Sequence, residues 1–387
     1  MFGESLLTCK VKSFNTHLLY TIMKAIYNIF ALFAKTNIIW ITLAVFTLNV
    51  SSCKNEELPN VIEDGTTGFL TWKFTDDGVL NIGGKGLMPD YEYSFEPFIT
   101  PWHSYRSDIK TVMIDKGVTS VGNYAFINCP NLTSITLPNS VESLGFLAFS
   151  GCYSLTNVTI PNGLESIGGR AFSSCHSLRT ITIPRSVSSI GEMVFSDCPS
   201  LTNIEVAADN HAYVSENGVL FNKSKDTLVA YPGGKEGSYN IPNSVTSIGG
   251  AFNTNIGGAF SFCSGLTGII IPNSMTNIAM RSFIGCSNLR DVTIPNNVTS
   301  IGVEAFRDCS SLASIVFPNS VNSIGDMAFY NCSGLTEIVV KATIPPSIKY
   351  DSFAKRDIPV YVPQESLQAY KNAEGWKRFT NLQGKVF

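Results

Sequence analysis

The chain has 387 residues, of which 44% are hydrophobic and only 15% charged, with 31 glycines and a formal charge of −3. That apolar content excludes intrinsic disorder and suffices for a sizeable core. Without residues 1–52 the balance is 23 basic against 29 acidic side chains. A mildly acidic body with no basic stripe excludes a nucleic-acid partner.

From Met23 the chain reads Met-Lys-Ala-Ile-Tyr, then Lys35, then an apolar run from Ile38 to Leu48, then Val50-Ser51-Ser52-Cys53. A basic start, a short apolar segment and small residues before a cut are features of a secretory signal peptide. The run is also short for a transmembrane helix. Residues 1–52 are therefore expected to be a signal peptide, starting at Met1 or at Met23. The alternative is an uncleaved anchor from about Ala25 to Val50, which Lys35 in mid-span disfavours. Val-Ser-Ser-Cys is similar to a bacterial lipobox, which implies cleavage before Cys53 and acylation of its thiol. Glu56 and Glu57 resemble the export signal of surface-exposed lipoproteins. The expectation is an outer-membrane lipoprotein that meets the membrane only through the lipid on Cys53, facing the cell exterior or, as second choice, the periplasm.

Residues 53–67 are polar, with Pro59 and Gly65, and read as a tether. In 68–108, Gly68–Phe74 and Val79–Ile82 flank Thr75-Asp76-Asp77-Gly78, whose Asp-Gly pair favours a tight hairpin turn. With Leu87, Met88, Phe95, Phe98 and Trp102, this hairpin is expected to cap the apolar end of a repeat array.

Residues 109–341 repeat. Cys129, Cys152, Cys175 and Cys198 step by 23, and after Cys263 the step resumes through Cys286, Cys309 and Cys332. A phenylalanine precedes each by three residues, from Phe126 to Phe329. Only the Ile-x-Ile part of each repeat alternates, so each supplies one short strand with two inward side chains. The proline after it cannot extend a ladder, and Gly168 and its equivalents suit a sharp bend. One such coil cannot bury its own apolar face, whereas stacked coils bury a continuous core. The array breaks once, at about 209–240, where Gly218–Asn222 and Thr227–Tyr231 read as a protruding hairpin. Tyr213, Phe221 and Tyr231 are either contacts for a partner or packing against the adjoining coil. Residues 342–387, with a strand at Pro359–Pro363 and helical spacing from Ser366 to Trp376, form a C-terminal cap.

Leu132-x-x-Ile135-x-Leu137-Pro138-x-x-Val141-x-x-Leu144-Gly145-x-x-Ala148-Phe149-x-x-Cys152 resembles the BspA-like leucine-rich repeat of bacterial surface proteins. The resemblance implies an α/β-type repeat solenoid, a right-handed coil with one short parallel strand per repeat. It further implies adhesion, since the known members of that family are adhesins.

No motif for catalysis or for a cofactor occurs: there is no His-Glu-x-x-His, Gly-x-Ser-x-Gly or phosphate-cradling glycine loop. The eight ladder cysteines are expected to be buried free thiols, because stacked equivalents run parallel and set their Cβ atoms too far apart for disulfides. No Cys-x-x-Cys pair exists and the thiols lie along a line, one per coil, which disfavours zinc. What remains is the sheet face made by the middle residue of each Ile-x-Ile. Thr136, Thr159, Thr182, Glu205, Asn240 and Thr293 are its candidate ligand contacts, and Ile270, Val316 and Val339 make it more apolar toward the C-terminus. The expected function is non-enzymatic binding of a protein or glycan at the cell surface, with an assembly component of a surface or periplasmic complex as the alternative.

Overall fold

The computed structural model describes residues 59–92, 100–249 and 258–387. The expected signal peptide, Cys53, Phe95 and Phe98 lie outside the described residues.

Each Ile-x-Ile segment forms a strand that pairs in parallel with its equivalent one repeat away. In Thr180–Ile183 against Asn203–Val206, Ile181 faces Ile204 and Thr182 faces Glu205. Ile181 and Ile183 point into the core and Thr182 outward. The structure adds a second ladder that the alternation does not reveal: Ser166–Ile167 pairs in parallel with both Ser143–Leu144 and Ser189–Ile190. Two residues are too few for a period to show. The expectation of one strand per repeat is therefore corrected to two, both parallel.

The third side, Gly-x-x-Ala-Phe-x-x-Cys, is turns rather than helix. Its backbone is nonetheless bonded from coil to coil, as in Phe126 N–H to Ala148 O and Phe149 N–H to Ala171 O, both 2.8 Å. Among the described residues the one α-helix is Leu367–Asn372. The bends on this side come from two left-handed residues per coil, such as Arg170 and Ser174, each at φ 55°. Gly168 serves a different need from the expected bend: a Cβ there would stand 2.6 Å from the carbonyl carbon of Gly145. The coils approach backbone to backbone at that corner, which only glycine allows.

Inside, the phenylalanines stack. Centroid distances are 5.3 Å for Phe126–Phe149 and 5.5 Å for Phe149–Phe172, with rings within 11° of parallel. Phe260, Phe283, Phe306 and Phe329 repeat the column at 5.0–5.2 Å. A tryptophan closes each end. Trp102 stacks on Phe126 and donates its indole N–H to Ala125 O at 2.9 Å. Trp376 lies against Phe353 and donates to Pro346 O at 2.7 Å. Tryptophan suits this place because it covers a whole ring while its one polar atom finds a carbonyl.

At the N-terminal end Val61–Thr67, expected to belong to a tether, is a strand, paired antiparallel with Leu70–Thr75. It is mostly exposed on both faces, so no apolar alternation marks it. The strand Val79–Gly84 then pairs in parallel with Thr111–Ile114 and hands the sheet on to the coils. Met88 and Trp102 are buried under this cap, but Leu87 is 69% exposed and covers nothing. At the other end Val360–Pro363 pairs in parallel with Glu337–Val340 and with Leu382–Lys385.

The inserted segment does not protrude. Tyr213–Glu216, Val219–Asn222 and Thr227–Ala230 form an antiparallel meander, and Thr227–Ala230 joins Ser247–Ile248 in parallel. Tyr213, Phe221 and Tyr231 are all at most 3% exposed, which rules them out as surface contacts. Tyr231 stacks on Phe260 at 4.9 Å and takes the place of a ladder phenylalanine. The Tyr213 hydroxyl accepts the N–H of Ile190 at 2.8 Å, satisfying an edge where the second ladder stops.

Asn210 fastens this meander to the coil before it. Its side chain is fully buried, donates to Pro184 O and Val187 O, and accepts from the N–H groups of Ala212 and Tyr213. Asn210→Ala removes a partner from four backbone groups, of which Pro184 O keeps the N–H of Val187 and Ala212 is only half-buried; at about 1–3 kcal/mol for a stranded group the expected loss is about 3 kcal/mol. Urea denaturation checks this; a midpoint within error of the parent would show that Asn210 does not fasten the meander.

Candidate functional site

The outward residue of each first-ladder strand forms a column along the solenoid. Met113 stands opposite Thr136, Thr182 opposite Glu205, Asn240 opposite Ile270 and then Thr293. Farther on, Val316, Val339 and Tyr361 align. Thr136, Thr159, Thr182, Glu205, Asn240 and Thr293 are all exposed. Thr159 lies just beyond the end of its strand, Asn157–Val158.

The column runs over four separately paired sheets. No strand pairing joins Asn203–Val206 to Gly237–Asn240; instead Ile204 N–H bonds Gly218 O and the Ser215 hydroxyl bonds Ile204 O. Strand pairing also stops between Asn157–Val158 and Thr180–Ile183, so the predicted face places Thr136 on one sheet, Thr182 and Glu205 on a second, and Asn240 and Thr293 on a third, with the meander between the last two. Glu205 is held by Thr182 Oγ1 at 3.3 Å and Asn203 Nδ2 at 3.0 Å. Ile270 and Val316, at 47% and 40% exposure, are the apolar members of the C-terminal part.

The ladder cysteines are free and buried. Cys152, Cys175 and Cys198 each donate S–H to the phenylalanine carbonyl one coil back, Phe126, Phe149 and Phe172, at 3.1–3.4 Å. Cys286, Cys309 and Cys332 do the same to Phe260, Phe283 and Phe306. Each thiol therefore fills an apolar slot and satisfies a carbonyl, which alanine cannot do. Burial pushes the Cys129, Cys198, Cys286 and Cys332 thiols up to about 12, with the others also raised. Among the described residues no group of three or more His, Cys, Asp or Glu could hold a metal ion, and no helix is long and apolar enough to cross a membrane.

A cleft on the turn side escaped sequence reasoning. It holds about 400 Å³ and lies between the coils before and after the meander, with Arg170, Met193 and Asp197 on one side and Phe262, Arg281 and Glu304 on the other. The two coils touch directly here, through Asp197 N–H to Ser261 O at 3.4 Å. Glu304, 6% exposed, receives Arg281 Nε and Arg307 Nη1, each at 2.5 Å. Burial works against its carboxylate, but these guanidinium bonds outweigh it and hold the carboxyl below the usual glutamate range.

Phe262 is anomalous. It has φ 57° at a column position otherwise held by Asn128, Gly151, Ser174, Asp197, Gly285, Asp308 and Asn331. Those residues suit a left-handed backbone or pass through it at low cost, whereas a bulky aromatic there stores about 1–3 kcal/mol. Comparing that one position across repeats was the available signal.

Two parallel ladders, a turn side bonded from coil to coil and a column of stacked rings define a leucine-rich-repeat solenoid, here with an open sheet face and a turn-side cleft. The BspA type leucine-rich repeat region matches residues 103–224 and 235–359 in six copies, and the chain belongs to this family. Among solved structures it is similar to a leucine-rich repeat protein from Eubacterium ventriosum, at 25% identity and TM-score 0.57, over 84% of this chain and 85% of that one. It shares its fold with the pneumococcal vaccine antigen PcpA, at 20% identity and TM-score 0.56, over 85% of this chain and 98% of that one. No match was found among curated proteins.

Proposed function

We propose that the protein is a non-enzymatic binding protein of the cell surface, an adhesin for a host or bacterial protein or glycan. The observation that supports this is the column of outward residues from Met113 to Val316, carried on strands that pair from coil to coil within each sheet. A surface already ordered before contact loses little conformational entropy on binding. Membership of a repeat family that typically serves as interaction scaffolds agrees with it. The lipid on Cys53 is part of the proposal and holds the solenoid to the outer membrane by its N-terminal end.

The test is antibody labelling and protease treatment of intact cells, compared with a Cys53→Ala variant. Labelling that disappears in the variant is the expected result. Protection in intact cells, with digestion only after lysis, would overturn surface exposure and favour an assembly role in the periplasm. For the sheet face, Thr159→Arg and Glu205→Lys are expected to abolish binding to intact target cells; unchanged binding removes that face from the site.

A further inference from the structure

We propose that the turn-side cleft is a saccharide site that takes one neutral pyranose unit of a glycan against the ring of Phe262. This site rests on the reading of the protein as a surface binding protein and gives it a second place and a ligand class.

Phe262 is not there to fill the core, since Phe260 holds the ladder position and is fully buried. Phe262 itself is 37% exposed and stands in the cleft wall. It lies over Gly285, where a Cβ would stand 2.4 Å from the ring, so the next coil has given up its side chain to make room. A strained, partly exposed aromatic with a matched glycine beneath it is an exception that the fold itself does not require, and such exceptions gather at ligand sites.

The opening above it has a comparable origin. Arg170, Met193, Arg281 and Glu304 belong to one column of left-handed residues, and Gly258 takes the place between Met193 and Arg281. A Cβ at Gly258 would meet Met193 Cγ at 2.5 Å. The column thus loses one side chain where the cleft lies.

The polar groups fit hydroxyls better than they fit an ion. Three guanidinium groups, of Arg170, Arg281 and Arg307, face three carboxylates, of Asp197, Glu304 and Asp308, so the cleft carries no net charge. Glu304 fixes Arg281 and Arg307 in place, which leaves their remaining N–H donors oriented. Asp197 is set in turn by the Ser174 hydroxyl at 2.9 Å and by His176 at 3.1 Å. Planar donors and fixed acceptors around one aromatic face match vicinal hydroxyls on a ring whose C–H groups lie on the phenyl. A volume of about 400 Å³ is at the small end of the range for small-molecule sites.

The test uses the full chain in detergent and calorimetric titration with lactose, cellobiose, mannobiose and chitobiose, with sialyllactose and a heparin disaccharide as anionic controls. At least one neutral disaccharide is expected to bind, at least tenfold more weakly to Phe262→Asn and within threefold as well to Phe262→Tyr. Asn holds two other positions of this column, Asn128 and Asn331, and suits its left-handed backbone, so the variant is expected to melt at or above the parent temperature, which separates loss of the site from loss of fold. Binding by none of the neutral sugars, binding only of the anionic ones, or full binding by Phe262→Asn each overturns the saccharide site. Thr159→Arg is expected to leave sugar binding unchanged. If sugar binding fails while cells displaying the protein still adhere and lose adhesion on Thr159→Arg, the cleft is wrong and the surface-binding function stands. If displayed protein adheres to nothing, that function itself fails.

Discussion

Raising the pH above about 9 is expected to unfold the solenoid cooperatively, with all eight ladder thiols ionising together. The thiols are buried in the folded chain, and burial raises each of them. In the unfolded chain they titrate near 8.5. A group whose folded value lies above its unfolded value gives stability that is complete below the unfolded value and is lost as pH rises past it. Each thiol then costs the folded state about 1.4 kcal/mol per pH unit. Eight of them can cancel a typical stability of about 5–15 kcal/mol within one to two units above 8.5. Thiolate absorbance and far-ultraviolet circular dichroism, followed together, should change in a single transition. Gradual ionisation with an intact spectrum would mean that solvent reaches the thiols without unfolding.

Phe283→Ala is expected to cost about 4–5 kcal/mol. Removing a buried phenylalanine side chain costs about 3–5 kcal/mol where the site cannot collapse. Phe283 is fully buried and sits between Phe260 and Phe306, each at 5.0 Å. Collapse is restricted because the coils on both sides are fixed by parallel backbone bonds, including Phe283 N–H to Ala305 O at 2.8 Å. Two ring–ring contacts disappear with it, each worth about 0.5–1.5 kcal/mol beyond burial. The buried core divides at the meander, one cluster running from Leu70 to Ala230 and the other from Val219 to Phe379. In an array where each coil contacts only its neighbours, the loss falls on the C-terminal cluster. Hydrogen exchange should therefore speed up at Ile315 and Ile338 and stay near the parent rate at Val112 and Ile135. Equal acceleration in both halves would show that the meander transmits cooperativity.

The coil is legible in the sequence because its constraints recur: inward isoleucines, a ladder phenylalanine and a ladder cysteine every 23 residues leave no other packing. What recurs without a periodic apolar signature was missed. The second ladder consists of two-residue strands, mostly Ser-Ile, and Val61–Thr67 bonds to the cap as an exposed edge. The meander misled for another reason. It reads as a protruding hairpin, whereas the packing reading of its aromatic residues holds: Tyr231 replaces a ladder ring and Tyr213 completes an interrupted edge. Such substitution by a different residue type carries no pattern. Of the candidate site, the column of outward residues was legible from alternation, whereas its division was not. The cleft needed one odd residue, Phe262, to be compared with its equivalents across the array.

The parallel ladders also determine how the molecule meets a mechanical load. Their hydrogen bonds point from coil to coil along the stack, from Val79–Gly84 against Thr111–Ile114 at one end to Val360–Pro363 against Leu382–Lys385 at the other, with breaks between the sheets. A pull applied at one end of the chain and resisted by a ligand held farther along therefore loads these bonds one coil at a time, rather than shearing a whole sheet at once. Each coil that peels away releases 23 residues, roughly 80 Å of contour at 3.3–3.6 Å per residue, in place of the roughly 4.8 Å it occupied in the stack. The remaining coils keep their bonds and present a fresh edge on which the released segment can re-form. An array of this kind is expected to lengthen in steps under load, with the coils beyond the break still folded.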